Sequence, residues 1–283
     1  MRFVKLALAA ATAVGLALTA SAAMAQQRKV KIATEGAYAP WNFVNSAGKL
    51  EGFEIDLAAD LCKRANLDCE IVAQDWDGII PSLTAKKYDA IMAGMNITDK
   101  RLEVISFTQA YASGPHGMMA AKGAKFASAM PTGRFNLTTG KAEADKAIEQ
   151  IKAAVKGKIV GVQVSTTNAN FVNEYLKGSV AEVREYKTTE QHDLDLAAGR
   201  VDFVFAAHSA FAATIASPIG KDMEIVGPAL NGGILGRGVA VGLRKDDNDL
   251  REAFDKAIAA AKADGTIKAL TQKWFKIDMT PLS

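Results

Sequence analysis

Apolar positions along the chain fall into short dense runs separated by amphipathic stretches, the pattern of strands exchanging with helices. Val30-Lys-Ile-Ala-Thr and Glu70-Ile-Val-Ala read as strands, and Tyr88-Asp-Ala-Ile-Met-Ala-Gly-Met as a buried one. Between the first two, Glu54 to Ala65 sets Ile55, Leu57, Ala58, Leu61 and Cys62 on one side of a helix. Trp76 to Thr84 opens another helix, with Pro81 tolerated in its first turns. Ser46-Ala-Gly-Lys-Leu reads as a hairpin turn and Asp99 to Glu103 as a short helix. The β-α-β-α-β order predicts an α/β unit with a largely parallel sheet.

A second α/β run begins near Met118-Met-Ala-Ala. Strands at Lys158-Ile-Val-Gly-Val-Gln, Val183-Arg-Glu-Tyr and Val201-Asp-Phe-Val-Phe alternate with helices over Thr167–Lys177 and Glu190–Ala198. Val239-Ala-Val-Gly-Leu is a later strand, and Asp249 to Lys276 is mostly helical. Residues 127–157 stand apart. Pro131 to Gly140 is loop-like and Lys141 to Lys156 is an alanine- and charge-rich helix, together read as a surface insertion. Ala112-Ser-Gly-Pro and Gly232-Gly-Ile-Leu-Gly-Arg-Gly are candidate crossings between two lobes. The expected division is a discontinuous first lobe of residues 26–113 and 236–283, and a second lobe of 114–235 that carries the insertion. Two crossings define a hinge better than one linker does, and a ligand would lie in the cleft between the lobes.

The first 25 residues change the picture of where this happens. Arg2 and Lys5 form a basic start, Leu6 to Leu18 is an uncharged apolar stretch, and Ala23-Met24-Ala25 is a small-x-small cleavage site. This is the pattern of a secretory signal peptide, with Gln26 as the mature N-terminus and a soluble, periplasmic product. No later stretch reaches the roughly 18 apolar residues of a membrane span. Composition (49% hydrophobic, 23% charged) excludes disorder and coiled coil as the main class. Of 34 basic residues, Arg2 and Lys5 leave with the leader, so 32 face 31 acidic ones. That near-neutrality argues against nucleic acid as a partner, which would need a basic stripe. Cys62 and Cys69 are the two cysteines, and in an oxidising compartment a disulfide closing this short loop is expected. No His/Cys cluster accompanies them, so neither a metal nor another cofactor is expected.

Gly52-Phe-Glu-Ile-Asp-Leu, Asp75-Trp-Asp-Gly-Ile-Ile-Pro-Ser-Leu and Asn96-Ile-Thr-Asp-Lys-Arg101 carry a resemblance. Over residues 28–278 the chain is similar to the periplasmic solute-binding proteins of polar amino-acid ABC importers, such as the lysine/arginine/ornithine- and histidine-binding proteins. The insertion and Ala33-Thr-Glu-Gly-Ala-Tyr-Ala-Pro-Trp-Asn-Phe look most like the opine binders of the nopaline/octopine type. The resemblance implies a two-lobed α/β periplasmic-binding-protein fold of type II. It also implies a monomer that captures an amino acid or opine and hands it to a membrane permease and its ATPase. A chemoreceptor is a further candidate partner.

The resemblance assigns the ligand α-carboxylate to Arg101, whose guanidinium can grip a carboxylate through two parallel hydrogen bonds. Gly94 and Asn96 could complete that anion site with a backbone N–H and an amide, and Ala93 offers backbone groups only. Tyr38, Trp41 and Trp76 supply aromatic faces for a planar or aliphatic ligand arm, and Glu35 an acceptor for a cationic tip. From the second lobe come Gln163, Ser165, Thr166, Thr167 and Asn168, a polar strand-to-helix turn of the kind that receives anions; Thr167 is the implied carboxylate ligand.

One position departs from the pattern. Counting from Thr167, the Asp that pairs with a free α-ammonium falls at Ala207. A buried primary ammonium without a carboxylate would be costly. An opine has instead a secondary amine and an additional carboxylate, to which the neighbouring His208 could donate, with help from Gln163. His116 and His192 have no evident partners and read as structural or solvent-facing. The competing readings are a binding protein for ordinary basic or polar amino acids and, remotely, an exported enzyme resembling cyclohexadienyl dehydratase. The enzyme would have only Glu35 and His208 as acids, without a nucleophile elbow or metal spacing, so a non-catalytic role is expected.

Overall fold

The computed structural model describes residues 27–281, so the leader read at residues 1–25 lies outside them. The chain first builds β1 (Arg28–Thr34), the small meander β2 (Ala37–Tyr38), β3 (Asn42–Val44) and β4 (Leu50–Glu51), then α1 (Phe53–Arg64) and β5 (Leu67–Ala73). A 3₁₀ turn at Trp76–Gly78 leads into α2 (Ile79–Thr84), followed by β6 (Ala90–Ile91), α3 (Asp99–Leu102) and β7 (Ser106–Phe107). The second set comprises β8 (His116–Ala121), β9 (Arg134–Asn136), α4 (Lys141–Ala154), β10 (Ile159–Gln163) and α5 (Thr167–Phe171). It continues with β11 (Glu182–Tyr186), α6 (Thr189–Ala197), β12 (Phe203–Ala207), α7 (His208–Ile215) and β13 (Met223–Asn231). The chain then returns through β14 (Gly242–Leu243) to α8 (Asn248–Ala263) and α9 (Thr266–Phe275).

Besides the small three-stranded sheet β2-β3-β4, two larger sheets result, one per lobe. The first runs β5-β1-β6-β14-β7 and the second β11-β10-β12-β8-β13-β9. Neighbours β5, β1 and β6 are parallel, as are β11, β10 and β12. The strands next to the crossings run antiparallel, β14 against β6 and β7, and β8 against β12 and β13, because the chain enters and leaves each lobe there. The first core packs Ile32, Phe53, Leu57 and Leu61 against Phe254, Ile258 and Phe275, so the C-terminal helices belong to the first lobe. The second gathers Val160, Val162, Phe171, Phe203 and Phe205. Cys62 and Cys69 are joined by a disulfide between α1 and β5.

Several elements differ from the periodicity reading. Within Tyr88–Met95 only Ala90–Ile91 is regular strand. The helix read at Thr167–Lys177 widens into a π turn at Val172–Leu176 after α5. The loop-like Pro131–Gly140 contains β9, which pairs in parallel with β13. Helix α4 is docked rather than peripheral, since Ala144, Ala147, Ile148 and Ile151 are buried. Helix α7 and strand β13 leave no clear mark in the periodicity. The apolar Ala-Phe-Ala-Ala-Thr-Ile of α7 has little amphipathic contrast. Gly227-Pro228 looks like a turn but forms an irregularity within β13, a place where a sheet tolerates proline.

The crossings lie side by side. Ala112 and Val239 form an antiparallel bridge, with Val239 N–H donating to the Ala112 carbonyl at 2.8 Å and Tyr111 N–H to the Val239 carbonyl at 2.8 Å. The lobes also touch through side chains: the Trp41 indole N–H donates to Ser209 Oγ at 3.0 Å, and the Gln163 amide donates to Glu35 Oε1 at 2.6 Å.

Candidate functional site

Strand ends build the site. Glu35 follows the last residue of β1, Tyr38 ends β2, Trp76 begins the 3₁₀ turn after β5, and Ala93 to Asn96 follow β6. From the other lobe come His116 at the start of β8, Gln163 at the end of β10, and Thr166 to Asn168 at the start of α5. Ligands of open α/β sheets bind at such ends. Together with Arg101 these residues line a narrow cavity between the lobes.

Arg101 is the centre of its electrostatics. Its guanidinium carbon lies 5.3 Å from the Trp76 ring centroid, Nη1 donates to the Asn96 carbonyl at 2.8 Å, and Nη2 reaches the Ser165 carbonyl at 3.4 Å. Among the described residues it forms no ion pair with a carboxylate, and burial lowers its pKa to about 10. A cation held this way has an unmet need for an anion. Thr98 caps α3 by accepting from the Arg101 N–H at 3.2 Å, which fixes the start of the arm.

Glu35 is buried and carries the opposite problem. Burial raises its pKa to about 7; Gln163 pulls it down, and Glu54 and Asp75 push it up. A cationic group entering the cavity would restore the charged form. Gln163 spends its amide N–H groups on Glu35 and, at 3.0 Å, on the Lys187 carbonyl. Thr166 caps α5, accepting from Ala169 N–H at 3.0 Å while donating to the Gln163 carbonyl at 2.7 Å. Thr166 thus caps the helix and lines the cavity at once, and Thr167 and Asn168, buried like it, line the cavity beside it.

The structure brings together Glu35, Tyr38, Trp76, Ala93, Gly94, Asn96, Arg101, Gln163, Thr166, Thr167 and Asn168. It does not place Trp41, Ser165, Ala207 or His208 on that cavity. Trp41 is buried in the first core, stacked on Tyr38 at 6.2 Å, with its N–H on Ser209. Ser165 is exposed with φ +60° and turns only its carbonyl toward Arg101. His208 packs over Gly117 of β8, where a Cβ would stand 2.3 Å from its Nε2, and it does not line the cavity. Burial, His116 and Arg134 lower its pKa to about 4. Ala207 opens instead on an adjoining recess with Gly114 and Ser209.

The Gly94 N–H, expected to face an anion, instead donates to Glu54 Oε1 at 2.7 Å. Glu54 is fully buried and also accepts from Asn42 Nδ2 at 2.6 Å and from the Tyr111 hydroxyl. Gly94 has φ +62°, and a Cβ there would stand 2.8 Å from Tyr38 Cε1, so glycine lets the ring lie against the backbone. His116 is likewise not a bystander. Its Nδ1 lies 2.7 Å from Asn168 Oδ1, it lines the cavity, and burial lowers its pKa to about 4, so it is neutral there. His192 pairs with Asp193 through Nδ1 at 2.9 Å. Thr189, Phe205 and Ala206 complete the lining, and nothing local in the sequence marks them. No group of three or more His, Cys, Asp or Glu side chains suited to a metal occurs among the described residues.

Comparison with known proteins places this geometry among relatives. The profile of the bacterial extracellular solute-binding proteins, family 3, matches residues 30–277. An octopine-binding periplasmic protein of Rhizobium meliloti is 47% identical over 94% of this chain and 96% of its own. A histidine-binding periplasmic protein of Salmonella typhimurium is 37% identical, covering 97% of this chain and 98% of its own. A solved periplasmic His/Glu/Gln/Arg/opine family-binding protein from Silicibacter pomeroyi, in complex with lysine, superposes with a TM-score of 0.72 at 37% identity. That match covers 89% of this chain and 100% of the other.

Proposed function

The chain belongs to the bacterial extracellular solute-binding proteins, family 3, and from that premise we propose that it captures an arginine-derived opine, of the octopine or nopaline kind, in the cleft between its lobes. Delivery is to an ABC permease and its ATPase in the inner membrane, from the periplasm, after removal of the leader at residues 1–25. The protein acts as a monomer, and its closed form is available to a chemoreceptor as well. It is a carrier and not a catalyst.

One observation carries the reading: the Arg101 guanidinium lies on Trp76 in the cleft with no carboxylate partner among the described residues. A ligand α-carboxylate supplies the missing anion by a charge-assisted pair. Glu35 and the ring of Tyr38 receive the guanidinium end of the ligand. The absence of an acid at Ala207 favours a secondary amine over a primary ammonium. The relative that binds octopine points the same way. Ligand contacts from both lobes would favour the closed arrangement.

Titration calorimetry of the mature protein against octopine, nopaline, arginine, lysine and histidine tests this. Micromolar or tighter binding of an opine, stronger than that of any free amino acid, is the expected result. Preference for arginine, lysine or histidine would move the protein to the ordinary amino-acid carriers, and binding of none would remove the ligand class altogether.

A further inference from the structure

The motif Gly52-Phe-Glu-Ile-Asp-Leu holds two acids that the cavity does not use. Asp56 clasps α9, accepting from Lys273 Nζ at 2.7 Å and from the Trp274 indole N–H at 2.8 Å. Glu54, the second residue of α1, is 1% exposed and does not line the cavity. Burying a carboxyl group is costly, and a core that needed only volume there would take an apolar side chain.

The bonds of Glu54 run to three separate segments, all from neutral donors. Its Oε1 accepts from the Gly94 N–H at 2.7 Å and from the Tyr111 hydroxyl, and its Oε2 from Asn42 Nδ2 at 2.6 Å. Burial raises the Glu54 pKa and these donors pull it back. Asn42 passes the link on, since its Oδ1 accepts from the Gly36 N–H at 2.8 Å. Gly36 adjoins Glu35 and stands two residues before Tyr38. Gly94 lies in the loop whose Asn96 carbonyl holds Arg101 Nη1 at 2.8 Å. One side chain therefore joins the arm that presents Glu35 to the arm that anchors Arg101. The hub is itself fixed by backbone. The Phe53 and Glu54 N–H groups, free at the start of α1, donate to the Pro40 and Trp41 carbonyls at 3.0 and 2.8 Å. A Cβ at Gly52 would stand 2.4 Å from the Trp41 carbonyl oxygen, so this approach requires glycine.

We propose that Glu54 is the positioning residue of the first lobe's recognition wall, holding the Glu35–Tyr38 arm and the Gly94–Asn96 arm at one separation. It thereby sets the spacing between the contact for the ligand's cationic tip and the contact for its α-carboxylate. This rests on the binding reading above, which assigns those two contacts to Glu35 and Arg101. A gauge built before the ligand arrives leaves little ordering to be done at the moment of binding, and it favours ligands whose two charges match its span.

The test exchanges donor for acceptor. Glu54→Gln sets an amide nitrogen among donors. Whichever way the new amide and that of Asn42 are turned, one N–H faces another. Adding Asn42→Asp restores an acceptor for both the new amide and the Gly36 N–H. Calorimetry is run well below the melting point of every variant, with whichever of octopine and arginine the wild type binds more tightly. Glu54→Gln should weaken binding about tenfold or more, and the double variant should return to within about threefold of the wild type. A lowered melting point with unchanged affinity overturns the proposal, as does a double variant no better than the single one. Asn42→Ala, which keeps the bonds of Glu54 to Gly94 and Tyr111, covers the case in which Glu54→Gln does not fold. Alone it should weaken binding about fivefold, and in a Glu35→Gln background less than about twofold, because the arm it loosens has already lost its charge. Fully additive losses overturn the proposal. A wild type that binds neither probe removes the binding reading, and this inference with it.

Discussion

The two walls of the cleft divide their chemistry unevenly. The first lobe contributes the ionisable pair and the rings: Glu35, Arg101, Tyr38 and Trp76. The second contributes neutral polar groups, Gln163, Thr166, Thr167 and Asn168, and a histidine whose burial keeps it uncharged. The first wall can therefore recognise the charges of a ligand while the lobes are apart. The second adds short-range hydrogen bonds that become available on closure. Charge interactions reach further than hydrogen bonds, so the order of events follows from the placement.

This asymmetry can be broken most severely at Arg101. Arg101→Ala removes the cation and leaves the ligand carboxylate with neutral donors only; affinity should fall by about 100-fold or more in calorimetry. A loss no larger than that of a second-lobe variant would place the main anion contact in the other wall. Glu35→Gln keeps the shape and removes the charge, and a guanidinium-tipped ligand should bind about tenfold more weakly.

The same residue sharpens the comparison through pH. Glu35 titrates at about 7 in this structure against an ordinary 4.5. A bound guanidinium holds it ionised, so binding releases a proton, and affinity should rise as pH climbs toward 7 and level off above it. In Glu35→Gln this slope should vanish. An unchanged slope would assign it to another group.

On the second wall, Thr167→Val should cost about fivefold in affinity, and scattering should show incomplete compaction at ligand saturation. Wild-type compaction in that variant would show that the first wall alone drives closure. The smallest effect is expected at Ser209→Ala, which deletes the Trp41–Ser209 bond between lobes and leaves the lining of the main cavity as it is. About threefold weaker binding, equal for every ligand, is the expected outcome, since the lower end of a neutral hydrogen bond's net contribution, about 0.6 kcal/mol, corresponds to that factor. Ligand-dependent losses there would mean that Ser209 touches the ligand.

The sequence made the walls legible to different degrees. Arg101, Trp76 and Glu35 stand in motifs whose residues are neighbours in the chain, and the structure puts all three on the cavity. His116 was opaque because its partner Asn168 lies 52 residues away and nothing near Pro115-His-Gly hints at it. The role of Gly94 is hidden for the same reason: the carboxylate that takes its N–H sits 40 residues earlier. Trp41 and His208 carry suitable chemistry but pack into the first core and over Gly117 of β8, a direction that periodicity in short elements does not determine. Among the elements, β1, α1, β10 and α6 were readable from alternation and amphipathic spacing. Strand β13 was hidden by Gly227-Pro228, and the dense apolar run at Tyr88–Met95 overstated a strand of two regular residues.

The paired backbone at Ala112 and Val239 has a consequence for how the molecule can move. Two segments tied together by hydrogen bonds resist shearing past each other and resist twist, while bending across the pair costs little. The halves should thus swing like a book about its spine, along one reproducible arc. A change of cargo can then be accommodated by altering the pages, with the spine and the outline of the shut volume left as they are.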